Sequence, residues 1–258
     1  MQSQFERSFN LADLFCKAMN RPMFVSLLET DETGKDVKSI LTRWAGSVDE
    51  ESMAPMYGPW KLFSLLAAGF SNGKVFTTPI TDLNNGCLHM GGVREKSLIT
   101  SVSKYSNSQI DAMFALLLLW SLQHEVRLHH VGFKYTTNKR LEDAMKAFTK
   151  THKCEPLMLP AEDHDRFYFR VDAPTAPNKM YWMEFQSWPE QLPYDGIHID
   201  VATGEPYSLL RFIEKYSPSQ AAFWENGKNS PVGMVSGFED GVQISIMARE
   251  TWAPPEDW

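Results

Sequence analysis

The sequence predicts an α/β or α+β chain, and three observations carry that expectation. Segments whose apolar residues recur at helical spacing alternate along the chain with short runs rich in β-branched and aromatic residues. At 258 residues the chain is long enough to bury one large core or two modest ones. Its composition, 43% hydrophobic and 22% charged, is near the globular average and excludes collagen, a long coiled coil and wholesale disorder.

The elements follow in order. Asn10 is placed to cap a helix carrying Leu11, Leu14, Phe15 and Met19, which Asn20-Arg21-Pro22 stops. Met23 to Leu28 reads as a strand. Gly34 opens a helical pattern through Val37, Ile40, Leu41 and Trp44 that ends at Gly46, followed by a solvated acidic loop at Asp49, Glu50 and Glu51. Pro59 suits the first turn of a helix that presents Trp60, Phe63, Leu66 and Ala67. Strands are expected at 74–78, 87–93 and 97–103.

Ser106-Asn107-Ser108 offers an N-cap to a helix from Gln109 to Glu125, apolar on nearly every side and therefore packed from several directions. A strand at His129 to Tyr135 follows, then an amphipathic helix from Asn138 to Thr151 with Leu141, Met145 and Phe148 inward, then a strand at Arg166 to Val171. The prolines of 173–178 mark a linker, which divides the chain into a first region, 1–172, and a smaller α+β region, 179–258. That second region is expected to hold strands near 180–186, 197–201, 232–237 and 242–248 and a helix from Pro206 to Tyr216. No internal repeat is evident along the chain.

Lys and Arg number 25 against 32 Asp and Glu, so a net charge of −7 offers no general attraction to nucleic acid or to an anionic membrane. The amino terminus has no apolar run suited to a signal segment, and secretion by that route is not expected. The apolar stretch from Ala112 to Trp120 would reach only about 13 Å as a helix, far short of a bilayer core. Cys16, Cys87 and Cys154 are dispersed and odd in number, which fits a reducing compartment and buried thiols.

From about Leu98 to Val171 the order strand, loop, long buried helix, strand, helix, strand resembles the second half of the GNAT acyltransferase fold. His130 to Asn138 is similar to the family's strand and following asparagine. The outline also resembles acetyltransferase-like internal virion proteins of tailed phages. The resemblance implies a mixed sheet flanked by helices in which the strand beginning at His129 pairs with a strand from the first hundred residues. It places a cofactor loop at Lys104, Ser106, Asn107 and Ser108 and the family's asparagine at Asn138, with Tyr135, upstream on the strand, as the available substitute for the family's proton donor. The family's loop uses glycine so that backbone N–H groups approach a pyrophosphate, whereas Lys104-Tyr105-Ser106-Asn107-Ser108-Gln109 has none. The family's proton-donating tyrosine is also missing, since Met145 or Phe148 falls at its place.

Three other constellations invite a metal or catalytic reading. His124, His129 and His130 suggest a metal site, but neighbours on a strand point to opposite faces and a helix-end histidine fits the dipole, so no metal is expected. Glu162, Asp163, His164 and Asp165 would suit a metal-dependent hydrolase, but a polar hairpin loop accounts for them without any ion and no second carboxylate cluster is tied to them by spacing. His198 and Asp200 share one strand face as a base and its orienter would, and are read as solvent-facing, with Ile197, Ile199 and Val201 inward. The aromatic surplus after residue 179 suggests a protein interface anchored by Trp182, Trp188, Trp224, Trp252 and Trp258.

The sequence thus points to a non-catalytic interaction or assembly protein, cytoplasmic or virion-borne, on a decayed acyltransferase-like fold. It would take a protein partner or a second copy, with no nucleic acid, no membrane and no cofactor. The alternatives are an acyltransferase that binds acetyl-CoA and a metal-dependent hydrolase.

Overall fold

The computed structural model describes residues 2–67, 75–77, 92–103, 108–152, 157–158, 166–172, 180–187, 193–216, 220–224 and 232–250. The chain is mixed α+β, as expected, with two sheets. Helix α1 (Gln2–Met19) buries Phe5, Phe9, Ala12 and Phe15, a stripe that carries the helix well upstream of Asn10. It stops where Asn20 takes a φ of 52° and the Arg21 N–H returns to the Cys16 carbonyl. Strand β1 (Met23–Thr30) follows.

The segment read as helical from Gly34 is instead strand β2 (Val37–Ala45), paired antiparallel with β1. Its turn explains the difference. The Asp31 carboxylate accepts bonds from Thr33 Oγ1 and from the Lys35 and Asp36 N–H groups, and Gly34, at a φ of 73°, reverses the chain. Once the hairpin closes, the β-branched residues Val37, Ile40 and Thr42 fit the pleat. Helix α2 (Ala54–Ala67) starts upstream of Pro59, which lies inside it. Strands β3 (Val75–Thr77), β4 (Gly92–Glu95) and β5 (Leu98–Ser103) complete an antiparallel sheet ordered β2-β1-β5-β4-β3.

Helix α3 (Ser108–Gln123) lies between this sheet and the rest of the molecule, buried as expected: Ile110 and the run from Ala112 to Leu119 are inaccessible to solvent. Buried polar groups fix its position. Thr100 Oγ1 donates to the Ala115 carbonyl at 2.8 Å, Ser8 Oγ to the Leu118 carbonyl at 3.1 Å, and Lys61 Nζ to Asp111 at 3.1 Å and the Val102 carbonyl at 2.7 Å. On its other side Gly237 leaves room for Ile110, whose Cδ1 would stand 2.8 Å from any Cβ there.

The second sheet is made of two units with one topology. The first comprises β6 (Val126–Tyr135), α4 (Asn138–His152), β7 (Leu157–Met158), β8 (Arg166–Asp172) and β9 (Met180–Ser187). The second comprises β10 (Asp195–Thr203), α5 (Pro206–Tyr216), β11 (Gln220–Phe223), β12 (Gly233–Glu239) and β13 (Val242–Arg249). In each, the last strand returns to lie parallel beside the first, and the units join through antiparallel β6 and β10. The resulting order is β11-β12-β13-β10-β6-β9-β8-β7. This is an internal βαβββ repeat, which inspection of the sequence did not find.

The pairing of β6 corrects the acyltransferase resemblance. Among the described residues β6 pairs with β10 and β9 and with nothing from the first hundred residues, so the mixed sheet that resemblance requires does not form. The linker expected at 173–178 lies outside the described residues. The strands that flank it, β8 and β9, pair from Asp172–Met180 to Arg166–Gln186, and one hydrophobic core runs from Phe5 to Ala248.

Candidate metal centre

Strands β10, β6 and β9 stand side by side at the middle of the second sheet. Alternation divides their side chains. Val131, Phe133, Met183, Phe185, Ile197, Ile199 and Val201 enter the core on one face, which puts His130, Gly132, Glu184, His198 and Asp200 on the other. The register aligns these polar residues. His198 lies opposite Gly132, Gly132 opposite Glu184, and His130 opposite Asp200.

Three ligand-type atoms converge there, one each from His130, Glu184 and His198, all within 4.8 Å of one another. Glu184 Oε2 is 3.2 Å from His130 Nε2 and 3.7 Å from His198 Nε2. Two donors bound to one zinc-sized ion at a tetrahedral angle stand about 3.4 Å apart, so these separations fit a shared ion. Glu184 and His198 are 7% and 8% exposed, too buried for a solvated surface cluster.

The electrostatics give the ligand-competent forms. Burial alone would raise the Glu184 carboxyl, but the facing imidazoles of His130 and His198 outweigh it and hold the group far below the usual carboxylate range. Burial pushes His198 below its ordinary value against the pull of Glu184, the direction that favours the neutral imidazole. Its Nδ1 is buried with no hydrogen-bond partner among the described residues. The ring has its place because of Gly132: a Cβ there would stand 1.8 Å from His198 Cε1 and 2.0 Å from Nε2. A second buried group adjoins the first. Asp200, inaccessible to solvent, pairs with Arg249, and His129 Nδ1 is 4.0 Å from its Oδ2.

The structure bears on several of the expected site residues. His124, His129 and His130, the group considered for a metal, do not converge: His124 stacks on Trp120 at 4.0 Å, and His129 turns to Asp200 where the β6–β10 register shifts. Yet His130 joins Glu184 and His198, which are distant in sequence. His198 and Asp200, read as solvent-facing, are buried. Tyr135 projects toward the core face, opposite His130, and its phenol is pushed up to about 12 by burial and by Asp195. Asn138 is exposed at the start of α4 and accepts a bond from Ser187 Oγ. Neither Tyr135 nor Asn138 belongs to this centre.

Lys104, Ser106 and Asn107 lie outside the described residues, and Ser108 is described only as the first residue of α3. Glu162 to Asp165, Trp188, Trp252 and Trp258 also lie outside them, as does the Trp182 side chain. Trp224 is 44% exposed. Glu184 escaped the sequence reading altogether. A glycine inside an otherwise regular strand was the available signal, since it marks a close approach by another group.

No protein-family model matches the sequence, and no curated protein matches it. Among solved structures the chain is similar to methylmalonyl-CoA epimerase in complex with methylmalonyl-CoA and NH4+, at 12% identity over 50% of this chain and 99% of that one, with a TM-score of 0.32. A Streptomyces coelicolor methylmalonyl-CoA epimerase variant with 2-nitronate-propionyl-CoA gives 11% identity, 50% and 98% coverage and a TM-score of 0.32. A hypothetical protein from Bacillus halodurans C-125 gives 17%, 51%, 99% and 0.30. At such identities and TM-scores nothing of the neighbours' chemistry transfers. The neighbours named here are epimerases and a hypothetical bacterial protein, none of them described as an acetyltransferase or a virion protein. The assembly role, like the acetyl-CoA alternative, rested on the acyltransferase outline and falls with it. Among the described residues no helix is long and apolar enough to cross a membrane.

Proposed function

We propose that the chain is a divalent-metal-dependent enzyme whose ion is held by His130, Glu184 and His198. The convergence of two imidazoles and one carboxylate from three adjacent strands carries this reading. Two nitrogens and one oxygen suit zinc, iron, cobalt or nickel better than calcium or magnesium, which prefer all-oxygen sites. Three protein ligands leave coordination positions for water or substrate, the arrangement of catalytic sites. When bound, the ion supplies Lewis-acid polarisation of a substrate oxygen.

The chain's own residues do the rest. His130 and His198 hold their rings on neighbouring strands, Gly132 gives the His198 ring its place, and Glu184 brings the negative charge that offsets part of the ion's. Asp200 and Arg249 supply a second, internally neutralised pair beside His130.

Elemental analysis and titration of the full chain with Zn2+, Co2+, Ni2+ and Mn2+ test the proposal. One equivalent should bind, and His198→Ala or Glu184→Gln should weaken binding by more than about 100-fold, beyond the range reported for outer-shell partners. Failure of all four ions to bind, or binding that survives both substitutions, returns the cluster to a buried hydrogen-bonded network.

A further inference from the structure

The internal repeat defines which residues of the two units correspond. β6 and β10 begin the units, β9 and β13 end them, and both last strands are parallel to their first. His130 precedes the start of α4 at Asn138 by the same interval as His198 precedes the start of α5 at Pro206. His130 therefore corresponds to His198, and Gly132 to Asp200. Glu184 pairs with Gly132, and Met247 pairs with Asp200, so Met247 stands in the second unit where Glu184 stands in the first. Paired residues share a face of a sheet, which puts Met247 on the face of the histidines.

A carboxylate at that place would be the twin of Glu184 and would close the coordination sphere. A thioether is a poor substitute, because it is a soft donor in a set of imidazoles and carboxylate that suits borderline ions. We infer that Met247 is the residue that keeps the centre open: it withholds a fourth protein ligand, leaves the side facing β13 to an external donor, and keeps one net positive charge on a divalent ion bound by two neutral imidazoles and one carboxylate. The inference rests on the metal reading above and assigns the fourth coordination position to the β13 side of the centre.

The experiment titrates Co2+ into the full-length chain and its variants, follows the cobalt absorption, and then adds azide as the external ligand. Wild type and Met247→Leu should bind Co2+ equally and respond to azide. Met247→Glu should bind at least about ten-fold tighter, the lower end of what even outer-shell partners contribute, and should lose the azide response. If circular dichroism shows Met247→Glu to be unfolded, Met247→His should show the same two changes without adding a charge.

Two results overturn the inference while sparing the metal reading: a folded Met247→Glu or Met247→His that matches wild type in both respects, or a Met247→Leu that loses ten-fold in affinity, which would make the sulfur a ligand. Binding by Met247→Glu but not by wild type would uphold position 247 and remove the native metal. No binding by any variant removes both.

Discussion

The two repeats share strand order and divide the chemistry unequally. The first, 126–187, places His130, Gly132 and Glu184 where the second, 195–249, places His198, Asp200 and Met247. The first unit gives a buried carboxylate and an empty space. The second gives the ring that fills the space and a buried ion pair, Asp200 with Arg249, at the corresponding register. A repeated backbone thus fixes where side chains meet, and one substitution per unit decides whether a position binds, packs or stays open.

The sharpest way to break this comparison is at Asp200. Asp200→Ala leaves Arg249, 13% exposed, without its buried partner, and loss of one member of such a pair costs about 3–5 kcal/mol. Urea unfolding should show that loss. A change under 1 kcal/mol would mean the pair is not buried as described.

At the corresponding position of the first unit, Gly132→Ala puts a methyl group into the His198 ring. Overpacking of this kind costs about 1–3 kcal/mol. His198→Ala should restore most of it, because the three atoms nearest the added methyl all belong to that ring, and the double-mutant cycle measures the coupling. Additive losses would place the clash elsewhere.

The ends of the first strands differ as well, with Tyr135 in one unit and Thr203 in the other. Burial, with Asp195 adding, raises the Tyr135 phenol from 10.0 to about 12. A raised folded value favours the protonated form in the native state, so this stabilisation is complete below pH 10 and fades as the pH climbs toward 12. Wild type should lose its advantage over Tyr135→Phe across that window, and ultraviolet titration should find one phenolate forming late. The smallest effect is expected where α4 meets β10. Arg140 lies 2.8 Å from Asp195 but is 60% exposed, and Arg140→Ala should cost less than about 1 kcal/mol in thermal melts.

Much of this architecture was legible in the sequence. The helix from Pro206 to Tyr216 and the strand at Arg166 carried clean periodicity and boundary signals, and the all-apolar run of α3 announced its burial. β2 was misread because Val37, Ile40, Leu41 and Trp44 also satisfy helical spacing, and only the Asp31 turn decides between the two. The centre was half legible. His130 was grouped with its neighbours in sequence, whereas its partners arrive from β9 and β10 through pairing that no local pattern encodes. The repeat escaped notice because it is kept in strand order and register and very little in residue identity: the match of His130 with His198 is surrounded by unlike residues.

The joint between β6 and β10 also bears on how the protein is made. During synthesis β6 is complete roughly sixty residues before β10 begins, an interval of about 3–12 s at ordinary ribosomal rates. Throughout that interval the edge destined for β10 has no partner of its own, and it can accept the same strand from another nascent chain. Such an exchange would reproduce the native register and would even rebuild the centre, with His130 and Glu184 from one polypeptide and His198 from the other. A dimer formed by such an exchange would carry the same residues at the centre as the monomer and would separate from it by size.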